Sequence, residues 1–209
     1  MSKGVLSVIS GFSGAGKGTM VKSLLSRYDN YALSVSVTTR SPRPGEVEGV
    51  SYFYRTTEEF EKMIEEDALL EYARYVSNYY GTPRSYVEEQ LAAGKDVILE
   101  IEMQGAMKVK AKFPEAVMIF VVPPSISELK SRLIGRGTES MDVIEARLSR
   151  ASEEAEGMEN YDYMIVNDDL DTAVEELHGI IQGEHSKMIR NRSFLEEIQK
   201  EAFALKSNK

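Results

Sequence analysis

The chain of 209 residues has no cysteine. That excludes a disulfide framework, a cysteine nucleophile and a thiolate zinc site, and it suits a reducing compartment. It also lacks a long apolar run. The longest, Ala116–Val122, spans seven residues, far short of the roughly 20 that a membrane-crossing helix needs. The N-terminus holds one lysine and a short apolar patch broken by Ser and Gly, which makes a poor signal peptide. A soluble cytoplasmic protein is expected. Positive charge is in deficit: 25 Lys and Arg stand against 34 Asp and Glu, a net charge of −9. That argues against a nucleic-acid binder working by bulk charge and against a polybasic membrane-surface protein. Hydrophobic residues at 42% and charged residues at 28% are ordinary globular values, and the length suits about one domain.

The positive charge that is present is concentrated. Residues 1–45 carry six Lys and Arg against Asp29 alone, a balance of +5, so the remainder carries −14. A local basic patch in an acidic chain can focus an anion at one place.

Hydrophobic patterning predicts alternating strands and helices. Strands are expected at Val5–Ser10, Ala32–Val37, Tyr52–Tyr54, Leu69–Val76, Asp96–Ile101, Ala116–Val122 and Tyr161–Val166. Helices are expected at Lys17–Arg27, Thr57–Glu66 capped by Thr57, Pro83–Ala93 closed by Gly94, Gln104–Lys112, Ser127–Gly135, Asp142–Glu156 and from Leu170 onward. A plain helical extension follows past Leu195 and Ile198. Buried strands alternating with helices imply βαβ units and a mostly parallel sheet covered on both faces. Residues 35–82 break that rhythm with short aromatic strands and the turn Ser41-Pro-Arg-Pro-Gly45, the pattern of an inserted antiparallel piece.

Between the first strand and the first helix lies Gly11-Phe12-Ser13-Gly14-Ala15-Gly16-Lys17-Gly18-Thr19. Glycines let backbone N–H groups turn toward phosphate oxygens, and the helix N-terminus adds partial positive charge. Lys17 would reach the β- and γ-phosphates. The strict phosphate-loop pattern places Ser or Thr directly after the lysine. Here Gly18 stands there, so hydroxyl ligation of Mg²⁺ at that position is lost, with Thr19 one place later. Kinases, GTPases and ATPases all carry such a loop. The Asn-Lys-x-Asp segment of a GTPase and the Asp-Gly-Phe-Pro-Arg segment of an adenylate kinase are absent.

A second anion site is carried by Thr38-Thr-Arg40-Ser-Pro-Arg43-Pro-Gly-Glu46, where two arginines flank a proline-stiffened turn. Tyr52, Glu71 and Asn78-Tyr-Tyr-Gly-Thr82 follow. Alone, the arginines read as a solvated loop and the tyrosines as core. Their joint spacing, with Ile101-Glu-Met-Gln-Gly105, Pro123-Pro-Ser125, Gly135-Arg-Gly-Thr138, Arg147-Leu148 and Val166-Asn-Asp-Asp169, resembles guanylate kinase over about residues 4–183.

That resemblance implies an α/β fold of the P-loop NTPase type, with a mostly parallel sheet, an inserted small mixed GMP-binding domain and a helical lid. It implies a core of residues 1–35, 83–126 and 157–209, a GMP-binding insertion of 36–82 and a lid of 127–156. ATP would be bound by Gly11 to Thr19, with Asn167 near its base. Ser36, Arg40, Arg43, Tyr52 and Tyr80 match GMP-phosphate contacts, and Glu71, Thr82 and Glu102 match guanine-reading positions. Lys17, Arg40 and the lid arginines Arg132, Arg136 and Arg147 match the groups that stabilise the migrating phosphoryl. Mg²⁺ would arrive with ATP, with Thr19 and Glu100 available to it through water.

The chemistry agrees with the resemblance. Guanine offers N–H donors at N1 and N2 to a carboxylate and an O6 acceptor to a hydroxyl, whereas adenine offers neither N1–H nor O6. Glu102 and Met103 depart from the family's usual Asp and Trp. Expected partners are ATP and GMP or dGMP, with no nucleic acid and no membrane, and the number of subunits is open. A ribose-bisphosphate kinase on the same scaffold would not need Glu71, Tyr80 and Thr82 together. A catalytically dead interaction module would typically have lost the intact loop that Lys17 completes. His178 and His185 are expected as exposed surface residues, Glu153-Glu154-Ala-Glu156 as a solvated helix face, and Met158, Met164 and Met188 as core fillers.

Overall fold

A computed structural model describes residues 3–75, 77–135 and 141–207. The first strand, β1 (Leu6–Gly11), runs into the phosphate loop and then α1 (Lys17–Arg27). The elements β2 (Tyr31–Leu33), β3 (Val37–Thr38), β4 (Phe53–Tyr54), α2 (Thr57–Glu65), β5 (Leu69–Tyr75) and β6 (Asn78–Pro83) follow. The chain continues through α3 (Arg84–Ala92), β7 (Asp96–Glu100), α4 (Met103–Lys112), β8 (Val117–Val122), α5 (Ile126–Gly135) and α6 (Met141–Glu156). It ends with β9 (Tyr163–Val166), α7 (Leu170–His185) and α8 (Arg192–Ser207).

Five strands form an all-parallel sheet in the order β2-β7-β1-β8-β9. Both faces are buried, as parallel strands require. Leu6 and Val8 of β1 pack with Val87, Leu91 and Val109 of α3 and α4. On the other face Ile9 joins Met20, Leu24, Val174 and Leu177 of α1 and α7. β1 lies at the centre, where strand order reverses. The crevice beyond the carboxyl ends of strands at such a switch point is the usual ligand site of open α/β sheets, and the phosphate loop opens there.

A second, mixed sheet has the order β4-β3-β6-β5. β3 and β4 are parallel, while β3–β6 and β5–β6 are antiparallel. It has its own buried cluster of Val37, Phe60 and Leu69. α2 starts in a reciprocal capping box between Thr56 and Glu59, so Thr56, not Thr57, is its cap.

The expected strand over residues 32–37 is two strands in different sheets. Tyr31–Leu33 pairs with β7, and Val37–Thr38 pairs with β4 and β6. An apolar run reports burial and not which sheet is the partner, so the crossing at 34–36 is silent in the pattern. β6 was not expected as a strand; Glu71 and Thr82 stand opposite each other across its ladder with β5. The helical extension past α7 is interrupted by a 3₁₀ turn, Met188–Asn191, before α8.

Met164 and Met188 are exposed at 55% and 63%, so of the three methionines only Met158 packs against the core. The histidines are not exposed surface residues. His178 stacks on Tyr28 with ring centroids 3.8 Å apart and bonds the Tyr31 hydroxyl at 2.7 Å. The Nε2 of His185 lies 2.8 Å from Oδ1 of the buried Asp96. An apolar helix face with polar residues at its rim hides such long-range partners from a sequence reading. Among the described residues, no helix is long and apolar enough to cross a membrane.

Candidate active site

The phosphate loop turns through positive φ at Gly11, Gly14 and Gly16. At Gly16 a second reason adds to the first: a Cβ there would lie 2.4 Å from Nδ2 of Asn167. That amide donates to the Ala15 carbonyl at 2.7 Å, and the Arg132 guanidinium donates to the Asn167 carbonyl at 2.9 Å. The resemblance sets Asn167 near the adenine; its side chain here braces the loop from β9. The Lys17 ammonium donates to the carbonyls of Gly11 and Phe12 at 2.6 and 3.1 Å. The Phe12 ring is buried edge-on against Phe120, which leaves its backbone to the loop.

Gly18 faces Glu100. A Cβ on Gly18 would lie 3.5 Å from Oε1 of Glu100, so the carboxylate at the end of β7 stands over the first turn of α1. Burial of its surroundings pushes the Glu100 carboxyl up, and Lys17 opposes the shift. Thr19, the next residue of α1, is exposed. Among the described residues no group of three or more His, Asp or Glu could hold a metal. One carboxylate and one hydroxyl fit a Mg²⁺ that is bound mainly by phosphates and water.

Two adjoining cavities of about 360 and 410 Å³ fill the cleft between the sheets. Gly11, Ser13, Lys17, Glu100, Glu102 and Glu154 line the first. Ser36, Tyr52, Glu71, Tyr80, Glu102 and Arg150 line the second. Glu71 is buried, and its Oε1 accepts from Thr82 Oγ1 at 2.8 Å. Burial pushes the Glu71 carboxyl up, opposed by the Thr82 bond, Lys108 and Lys112.

Glu46 clamps Arg40 with both oxygens, at 2.9 and 2.8 Å, and also accepts from the Arg43 amide and the Tyr54 hydroxyl. These bonds hold the Glu46 carboxyl down at about 2. Arg40 lies 5.2 Å over the Tyr52 ring, whose centroid is 6.0 Å from that of Tyr80. Arg43 is exposed on the turn.

Of the arginines expected in a lid, Arg147 donates to Ser13 Oγ at 2.6 Å, which joins α6 to the phosphate loop. Arg132 is bonded to Glu128 and Asn167. Arg136 lies outside the described residues. Glu154 is not on a solvated face: it lines the cleft, and its Oε2 is buried with no hydrogen-bond partner among the described residues. Burial raises its carboxyl, again opposed by Lys17. Arg150 and Glu154 were missed as site residues. Their spacing from Arg147, three and seven along α6, puts all three on one helix face, which is the signal that could have found them.

The parallel sheet, the glycine loop at its switch point and a second cavity with its own cation and carboxylate define a P-loop phosphotransferase acting on a small second substrate. The guanylate kinase family model matches residues 3–184. A guanylate kinase of Bacillus cereus is 54% identical over 197 residues, covering 94% of this chain and 96% of the relative. One of Oceanobacillus iheyensis is 55% identical over 188 residues, covering 90% and 91%. The crystal structure of guanylate kinase from Anaplasma phagocytophilum matches with a TM-score of 0.74 at 35% identity, covering 93% and 95%. The chain belongs to the guanylate kinase family and converts GMP to GDP using ATP.

Proposed function

We propose that the two cavities divide the substrates, with ATP over the phosphate loop and GMP between the sheets, and that the γ-phosphoryl passes in line from one to the other. The reading rests on the buried Glu71–Thr82 pair, a carboxylate and a hydroxyl in register, with Glu71 at the wall of the second cavity. A carboxylate suits guanine N1–H and N2–H, and the Thr82 hydroxyl, which donates to Glu71 here, would serve O6 by turning its proton to the base. A site built on such bonds rejects a base that leaves them unpaired. Neither group reads the sugar, so dGMP is accepted as well.

Lys17 exchanges the two loop carbonyls for phosphate oxygens when ATP enters. Arg147 brings a second cation to the loop through α6, and Arg132 and Arg136 complete the lid's positive charge. Arg40, oriented by Glu46, holds the GMP phosphate with Arg43, Tyr52, Tyr80 and Ser36, while Glu102 lines the passage between the cavities. Phosphoryl transfer needs placement and electrostatic stabilisation rather than a protein nucleophile. Mg²⁺ bound with ATP would neutralise phosphate charge, with Glu100 and Thr19 holding its water shell.

Residues 1–35, 83–126 and 157–209 act as the core, 36–82 as the acceptor domain and 127–156 as the lid. Their closure keeps water from the phosphoryl group. The protein works in the cytoplasm.

A coupled assay across GMP, dGMP, AMP, CMP and UMP tests the assignment. GMP and dGMP are expected to turn over, with the others slower by about 10⁴-fold. Comparable rates with AMP would refute the base-reading role of Glu71 and Thr82.

A further inference from the structure

Gly105 is the third residue of α4, and its backbone has no need of glycine, since its φ is not positive. Inside a helix, glycine costs about 0.5–1 kcal/mol relative to alanine. The neighbouring space accounts for it. A Cβ built on Gly105 lies 2.8 Å from Oε2 of Glu71 and 3.2 Å from its Cδ, with Ile101 Cδ1 next at 3.5 Å. The carboxylate fills the place where a side chain would begin. Its other oxygen, Oε1, is held by Thr82.

We propose that Gly105 is a specificity-positioning residue: it keeps clear the space that lets the Glu71 carboxylate stand where guanine meets it. This rests on the guanine-reading role of Glu71 proposed above. Ordinary contact with a Cβ begins at 3.4 Å, so a methyl group at 105 drives Oε2 back by about 0.6 Å. Hydrogen bonds are made over a range of only about 0.5 Å, so that retreat is enough to lose one. The displaced atom is the far end of a side chain and not backbone, so the fold tolerates the change while the site does not. The Glu71 carboxylate also sits against the first turn of α4, where the helix favours negative charge.

The test is Gly105→Ala, Glu71→Gln and the double variant, each with steady-state kinetics and a thermal melt. Gly105→Ala is expected to lower kcat/KM for GMP by about tenfold or more, through KM, with the KM for ATP unchanged. Its Tm is expected to equal or exceed that of the parent, because alanine favours the helix. The double variant is expected to be no worse than Glu71→Gln alone, because Gly105 acts only through that carboxylate. A GMP KM within twofold of the parent overturns the proposal. So do losses that multiply in the double variant, or a Tm that falls, which would assign Gly105 to packing. If Glu71→Gln itself phosphorylates GMP normally, the reading of Glu71 fails and this inference with it. If Glu71→Gln is impaired and Gly105→Ala is not, the inference alone fails.

Discussion

Asn167→Ala isolates the brace between β9 and the phosphate loop. The substitution removes one buried bond, Nδ2 to the Ala15 carbonyl at 2.7 Å, and leaves the carbonyl of a fully buried residue without that donor. The bond from Arg132 to the Asn167 backbone carbonyl survives, so the side chain alone is under test. A buried group stripped of its partner costs about 1–3 kcal/mol. For a chain of this size each kcal/mol moves Tm by about 2–4 °C, so a central cost of about 2 kcal/mol predicts a fall of roughly 6 °C. The loop also loses the contact that fills the space beside Gly16, so ATP binding weakens about three- to tenfold. Melts with and without ATP, together with initial rates at varied ATP and saturating GMP, measure both effects. Asn167→Asp keeps the volume but loses the donor, and it should behave like the alanine variant. A Tm within 1 °C of the parent and an ATP KM within twofold would refute the brace.

Other outcomes follow from the same geometry. Burial raises the Glu71 carboxyl above its ordinary value near 4.5. GMP affinity should therefore fade on acidification at a higher pH than an exposed carboxylate would give, and Glu71→Gln should remove that part of the KM profile. The sign for stability is opposite: a carboxyl raised on folding favours the protonated form, so acidification through this range does not destabilise the fold through Glu71. Glu46→Gln frees Arg40 and should raise the GMP KM several-fold without changing the ATP KM. Because Glu46 is held down at about 2, its contribution is full above its unfolded value and is lost only as pH falls toward 2, so stability between pH 8 and 5 should not report on it. Asp96→Leu strips acceptors from Val5, Asn30, Gln182 and His185. It should cost about 3 kcal/mol or more in a denaturant melt, with turnover of the folded enzyme unchanged.

The parallel sheet was legible because its strands are continuous apolar runs and its loop punctuation is explicit. Lys17–Arg27 is a helix over the expected residues, since Gly16 and the periodic Met20, Val21 and Leu24 mark one end and one face. The mixed sheet was less legible. Its strands are short, β3 and β4 have two residues each, and their pairing depends on residues about 15 and 40 positions away. The strand β6 was hidden by its composition, since Asn, Gly and Pro in six residues read as a turn. Histidines 178 and 185 misled for a related reason. Both partners, Tyr31 and Asp96, arrive from strands far along the chain.

The candidate site divides along the same line. Residues whose chemistry is local, such as Lys17 in its glycine loop or Arg40 beside Glu46, carry their signal in adjacent positions. Residues whose role comes from what crosses the cleft do not. Glu154 belongs to an acidic run that any surface helix could hold, and only the cleft beside Lys17 distinguishes it. Gly105 is the sharper case. As a sequence letter it is a weak point in a helix, and its meaning is a distance to Glu71, 34 positions away. α6 binds the two halves together: Arg147 reaches the phosphate loop, Arg150 the second cavity and Glu154 the space beside Lys17, all from one helix face.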